Sequence, residues 1–153
     1  MRLTWAILLV CAGMTPGCLP PSGAASMRIK FERSGGLFAG NTLEGTVDIS
    51  GDKDAELKSG NYTRKLTPEE TRQIREALQS TDLSQLAGDL RRTDGAAGAD
   101  QYQYDITIEM PSGATHTFTV GDGPLAPSAA AAPGVAAISG WIRRQAQDIS
   151  KNR

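Results

Sequence analysis

Residues 102–120 constrain the fold more than any other stretch of the chain. Tyr102, Tyr104, Ile106, Ile108 and Met110 alternate without a break against Gln103, Asp105, Thr107 and Glu109. A side-chain period of two puts the apolar residues on one face of a strand and the polar ones on the other. Pro111, Ser112 and Gly113 then turn the chain. His116, Phe118 and Val120 alternate with Thr115, Thr117 and Thr119 in the return. Such a pair reads as an antiparallel hairpin with one face to bury. The rest of the chain has to supply the cover.

The same pattern occurs near residue 27. Met27, Ile29 and Phe31 alternate with Arg28, Lys30 and Glu32. After a glycine-rich turn at residues 34–42, Leu43, Gly45, Val47 and Ile49 alternate with Glu44, Thr46, Asp48 and Ser50. This predicts a second hairpin. Residues 50–61 (SGDKDAELKSGN) read as a polar loop or insertion, with a short strand possible over residues 62–66.

Thr67-Pro68-Glu69-Glu70 predicts a helix start. Thr67 caps, Pro68 suits the first helical position, and Glu70 completes a capping box. Ile74, Ala77 and Leu78 share a face at helical spacing, and Leu83 and Leu86 tuck beneath the end. Residues 88–100 and 121–134 read as connections, the second with some helical tendency in its alanines. Ile138, Trp141, Ile142, Ala146 and Ile149 mark the buried stripe of a C-terminal helix, with Arg143, Arg144, Gln147 and Asp148 facing water. The expected fold is α+β in ββα-ββα order. It has one antiparallel sheet of about four strands with both helices on one face.

The chain has 153 residues, enough for one domain, expected over residues 27–150. Residues 1–25 read as an export signal and linker. Met1 and Arg2 precede an apolar run at residues 3–12 (LTWAILLVCA), too short to span a bilayer. A TPGC sequence then places Cys18 where a bacterial lipoprotein signal has its lipidated cysteine. A secretory signal cut near Ala24 or Ala25, or a true start at Met27, are the alternatives. The expected location is the periplasm or a lipid anchor in the bacterial envelope, with secretion into the medium ranked below these. The only membrane contact is then through Cys18.

Both cysteines, Cys11 and Cys18, lie in this leader, so the domain contains no thiol or disulfide. Without Arg2 the 16 basic residues become 15 against 17 acidic ones, a formal net charge of −2 with no like-charged block. That argues against nucleic acid as a partner.

No catalytic constellation stands out. His116 is the single histidine and shares a strand face with Phe118 and Val120, as a core or boundary residue would. It has no ligand-spaced partners. There is no cysteine nucleophile, no G-x-S-x-G elbow and no phosphate loop. Asp94 and Asp100 flank a Gly/Ala loop that reads as solvated rather than cation-binding. The expectation is a non-enzyme without cofactor or metal. What remains is surface recognition, best placed in Ser34, Gly35, Gly36, Leu37, Phe38, Ala39 and Gly40. Two large apolar side chains amid glycines can anchor in a partner's pocket. The alternative is that Leu37 or Phe38 folds back to cap the core.

Three blocks carry a resemblance. Residues 27–36 (MRIKFERSGG) with Phe38-Ala39-Gly40 form the first. Residues 98–104 (GADQYQY), followed by Ile106, Ile108 and Thr115-His116-Thr117, form the second. Val120-Gly121-Asp122, with Trp141 in the last helix, forms the third. Together they resemble the emfourin family, small bacterial protein inhibitors of thermolysin-like zinc metalloproteases. The chain differs by an inserted Leu37, by the 50–61 stretch and by its leader.

The resemblance implies inhibition, and the reading of the loop residues offers a way, with Gly35–Gly40 as a wedge that blocks the protease cleft. On the same reading the loop with Ala99, Asp100 and Gln101 is a second contact. Such proteases favour a large apolar side chain just after the cleaved bond, which Leu37 or Phe38 can supply. The rival expectations are an envelope lipoprotein or periplasmic binding module without inhibitory activity, and an assembly protein using a sheet edge.

Overall fold

The computed structural model describes residues 26–36, 42–51, 54–92, 101–130 and 132–152. The proposed export signal with Cys18, the Leu37, Phe38, Ala39 and Gly40 tip, and Asp94, Ala99 and Asp100 lie outside the described residues.

Strands β1 (Met27–Gly35) and β2 (Leu43–Ser50) pair antiparallel, with Met27 opposite Ile49 and Arg33 opposite Leu43. Strand β3 (Asp54–Ser59) continues from β2, and β4 (Tyr62–Lys65) folds back on β3. Helix α1 (Pro68–Gln79) follows, then a 3-10 turn (Leu83–Gln85) and the two-residue strand β5 (Gly88–Asp89). The expected hairpin forms from β6 (Tyr102–Glu109) and β7 (Thr115–Gly121). A four-residue helix α2 (Pro127–Ala130) leads into α3 (Pro133–Lys151).

These strands make one seven-stranded sheet in the order β4-β3-β2-β1-β6-β7-β5. It is mixed, because β5 runs parallel to β7 while the other pairs are antiparallel. The expected four-stranded antiparallel sheet in ββα-ββα order is therefore wrong, although the α+β class holds. Beyond the four, β3 lies in the stretch read as a polar insertion, β4 falls on the short strand considered over residues 62–66, and β5 lies in the connection at 88–100. In β3, Ala55 and Leu57 face the core and Asp54, Glu56 and Lys58 face out, so the period of two is present. Ser59 takes the third inward position, and its hydroxyl donates to the Glu44 carbonyl. A polar side chain fits there because it has a hydrogen-bond partner.

One apolar cluster joins the inward residues of the strands to both long helices. Ile29, Phe31, Val47, Ile49, Leu57, Ile106, Ile108, Phe118 and Val120 form the sheet side. Ile74, Ala77 and Leu78 of α1 and Val135, Ile138, Trp141, Ile142, Ala146 and Ile149 of α3 cover it. Fully burying each of the larger side chains contributes roughly 1.5–3 kcal/mol. Gly45 lies opposite Phe31, and the ring occupies the space that a Cβ would need.

The outer face of the sheet is polar. Arg28 reaches Asp48 at 2.5 Å and Lys30 reaches Glu109 at 2.5 Å across neighbouring strands. These exposed pairs contribute little stability.

The capping box at α1 forms as the sequence predicts. The Glu70 N–H donates to Thr67 Oγ1 at 3.2 Å, and the Thr67 N–H donates to Glu70 Oε2 at 2.8 Å. Glu70 also accepts both guanidinium nitrogens of Arg64, at 2.9 and 3.1 Å. Arg64 in turn donates to the buried Gln145 at 2.6 Å. The Arg64 guanidinium thus ties the edge strand β4 to both helices.

Candidate functional site

Among the described residues, Ser34, Gly35 and Gly36 meet Gln101 at one end of the sheet. Strand β1 ends at Gly35 beside the start of β6, with Ser34 opposite Gln103 and Gly35 opposite Tyr102. Gly35 and Gly36 both have φ +84°, a conformation that L side chains rarely adopt. Both also lack room. A Cβ on Gly35 would stand 2.9 Å from the Gln101 carbonyl oxygen. One on Gly36 would stand 2.6 Å from Cε1 of Tyr102. The two glycines therefore let the chain turn tightly over the start of β6. The structure brings Ser34, Gly35, Gly36 and Gln101 together, and Gln101 is exposed. Leu37, Phe38, Ala39, Gly40, Ala99 and Asp100 lie between or beside these anchors in sequence.

Beneath this edge is a cluster that sequence reasoning missed. Arg33 is 8% exposed, and its Cζ lies 4.4 Å from the centre of the Tyr102 ring. Stacking a guanidinium on an aromatic face is favourable and stronger when water is excluded. Position 33 has the same parity as Met27, Ile29 and Phe31, and that was the available signal for its burial.

Tyr104, opposite Arg33, is 1% exposed. Burial first, then the negative charge and hydrogen-bond acceptance of Asp122, push its phenol up to about 12. Its hydroxyl therefore stays protonated at neutral pH, with the Asp122 charge nearby.

Asp122 serves the backbone as well. Its Oδ2 accepts from the Tyr102 N–H at 3.2 Å, and its own N–H donates to the Tyr102 carbonyl at 3.1 Å. The same turn is held from below by α3. Arg143, expected to face water, is half-buried and donates to the carbonyls of Gly121 and Gly123, the latter at 3.2 Å. Two residues beyond β5, Arg91 donates to Gln103 at 2.7 Å and pairs with Asp89 at 2.5 Å.

His116 stands apart from this cluster. It lies opposite Ile108 and is half-buried. Among the described residues no group of three or more His, Cys, Asp or Glu is arranged to hold a metal ion. The arrangement presents backbone and small side chains on a braced edge, which is suited to recognition.

Residues 61–132 match the family model Emfourin. No curated protein and no solved structure matches the chain. The family match begins after β1–β3 and ends at the start of α3. It contains Gln101, Tyr102, Tyr104 and Asp122, but not Gly35 and Gly36.

Proposed function

We propose, from the premise that residues 61–132 make this chain an emfourin-family protein, that it inhibits a thermolysin-like zinc metalloprotease. The family match carries this reading. The edge built from Ser34, Gly35, Gly36 and Gln101 supports a mode of action, because it offers a narrow, turned backbone at the sheet end. On this reading Leu37 or Phe38 enters the protease pocket that takes a large apolar side chain. Ala39 and Gly40 complete the wedge, and Ala99, Asp100 and Gln101 form the second contact. Inhibition is then reversible and competitive, and the chain supplies no catalytic group. We further propose that the chain is exported, with Cys18 as the lipid attachment point, on the basis of the apolar run at residues 3–12.

The test is a panel of purified thermolysin-like proteases assayed with the full chain against a peptide substrate. The expected result is inhibition of at least one enzyme below micromolar concentration, relieved by raising the substrate. No inhibition at micromolar concentration across the panel favours an envelope binding module without inhibitory activity. Mass spectrometry of the envelope fraction tests for lipid on Cys18.

A further inference from the structure

The turn after β7 contributes no residue to the proposed contact surface, yet it is bonded to that surface from two directions. Asp122 exchanges two hydrogen bonds with Tyr102, one through its carboxylate and one through its own N–H. Tyr102 is the residue whose ring Gly36 packs against and whose backbone follows Gln101. Arg143 fixes the flanking carbonyls of Gly121 and Gly123 from α3, an element anchored in the core. Space near Gly123 is taken by the Gln101 side chain, whose Oε1 would lie 3.2 Å from a Cβ there. The chain of contacts thus runs from the core helix to the turn, from the turn to β6, and from β6 to the glycines of β1.

We propose that Asp122 and Arg143 are positioning residues that hold the Gly35–Gly36 and Gln101–Tyr102 backbones together as one preformed edge for the protease. The inference rests on the inhibitor reading above and adds the residues that act through the edge rather than at it. The physical gain is preorganisation. An edge already in its bound shape loses less conformational entropy on binding, so more of its contact energy appears as affinity. Arg143 supplies donors to the carbonyl of Gly121, the last residue of β7, and to that of Gly123 just beyond it. Asp122 supplies the acceptor for the Tyr102 N–H at the first residue of β6.

The experiment compares the full chain with Asp122→Ala, Asp122→Asn, Arg143→Gln and Arg144→Gln. Arg144 is the exposed neighbour on the same helix and serves as the control. Asparagine keeps an oxygen acceptor, whereas alanine removes it. Amide hydrogen exchange at Tyr102, read by NMR, is expected to speed at least tenfold in D122A and to stay near wild type in D122N. The melting temperature should move by only a few degrees. Inhibition constants are expected to weaken about three- to tenfold in D122A and R143Q and to hold in D122N and R144Q. Unchanged exchange at Tyr102 in D122A overturns the proposal. So does equal weakening of inhibition in D122N and D122A. If the wild type inhibits no protease, the inhibitor reading fails. The exchange comparison then still decides whether these residues hold the edge.

Discussion

Gly36 is the residue where conformation and packing are most tightly joined. It needs φ +84° and it lies against the Tyr102 ring. Gly36→Ala should therefore destabilise the protein by about 1–3 kcal/mol, combining backbone strain with overpacking. The two contributions can be separated. In a Tyr102→Ala background the clash is gone and only the backbone cost persists. A thermal or urea unfolding cycle should then show a smaller penalty for G36A beside Y102A than alone. Equal penalties would mean that the ring does not limit this position.

The neighbouring Leu37 and Phe38 are chosen by chemistry, as the large apolar side chains next to the glycine anchors. Replacing both by Ala should weaken inhibition at least tenfold, about 1.4 kcal/mol. A protein that melts at lower temperature but keeps its inhibition constant would assign these side chains to the core instead. Residue-level reading was uneven here. The glycines announced a turn because few other residues tolerate it. Arg33 and Tyr104 showed their burial only through strand parity, and their roles, like that of Asp122, depend on partners far away in sequence.

Among elements, α1 was the most legible, because its start is written in local chemistry. Thr67, Pro68 and Glu70 act on each other within one turn, so no distant contact was needed to read them. Thr67→Ala should cost about 1 kcal/mol in urea unfolding. Glu70 adds a pH dependence. Its bidentate bond to Arg64, followed by the backbone and hydroxyl donors of Thr67, lowers its pKa in the folded state, with burial opposing. A lowered carboxylate pKa means that the unfolded chain takes up the proton first as pH falls. The stabilisation is complete above the unfolded value of about 4.3 and is lost as pH falls through the lower folded value. Wild type should therefore lose more melting temperature than Glu70→Gln between about pH 5 and pH 3. Parallel profiles would show that Glu70 is not coupled to folding.

Strand β3 shows the opposite case from α1. Its inward positions hold only Ala55, Leu57 and Ser59, and its flanks are polar. Its strand character comes from pairing with β2 and β4, a tertiary effect that propensity does not record. Strand β5 has only Gly88 and Asp89 and exists through its parallel pairing with Phe118 and Thr119.

At the scale of the molecule, the sheet order decides what the two ends can do. The sequence made both hairpins legible but not their neighbour relation, because nothing local states that β1 pairs with β6. That pairing puts Gly35 opposite Tyr102, and so places the end of β1 beside the entry to β6. It equally places the Pro111–Gly113 turn at the other end, since β6 leaves Tyr102 and reaches Glu109 opposite Arg28. A cleft-blocking inhibitor should then respond to bulk at one end and ignore it at the other. Gln101 and Ser112 are both exposed and both outside the strands, so a large side chain at either is tolerated by the core. On the proposed contact surface, Gln101→Trp should weaken inhibition at least tenfold, because the ring would stand between the edge and the protease. Ser112→Trp should leave the inhibition constant within about twofold, a change of less than about half a kcal/mol. Circular dichroism melts of both variants should stay close to wild type, which makes the comparison one of position rather than stability. Weakening by S112W with Q101W unaffected would move the contact surface to the opposite end of the sheet. The Gly35–Gly36 turn would then be a structural device for joining β1 to β2 and nothing more.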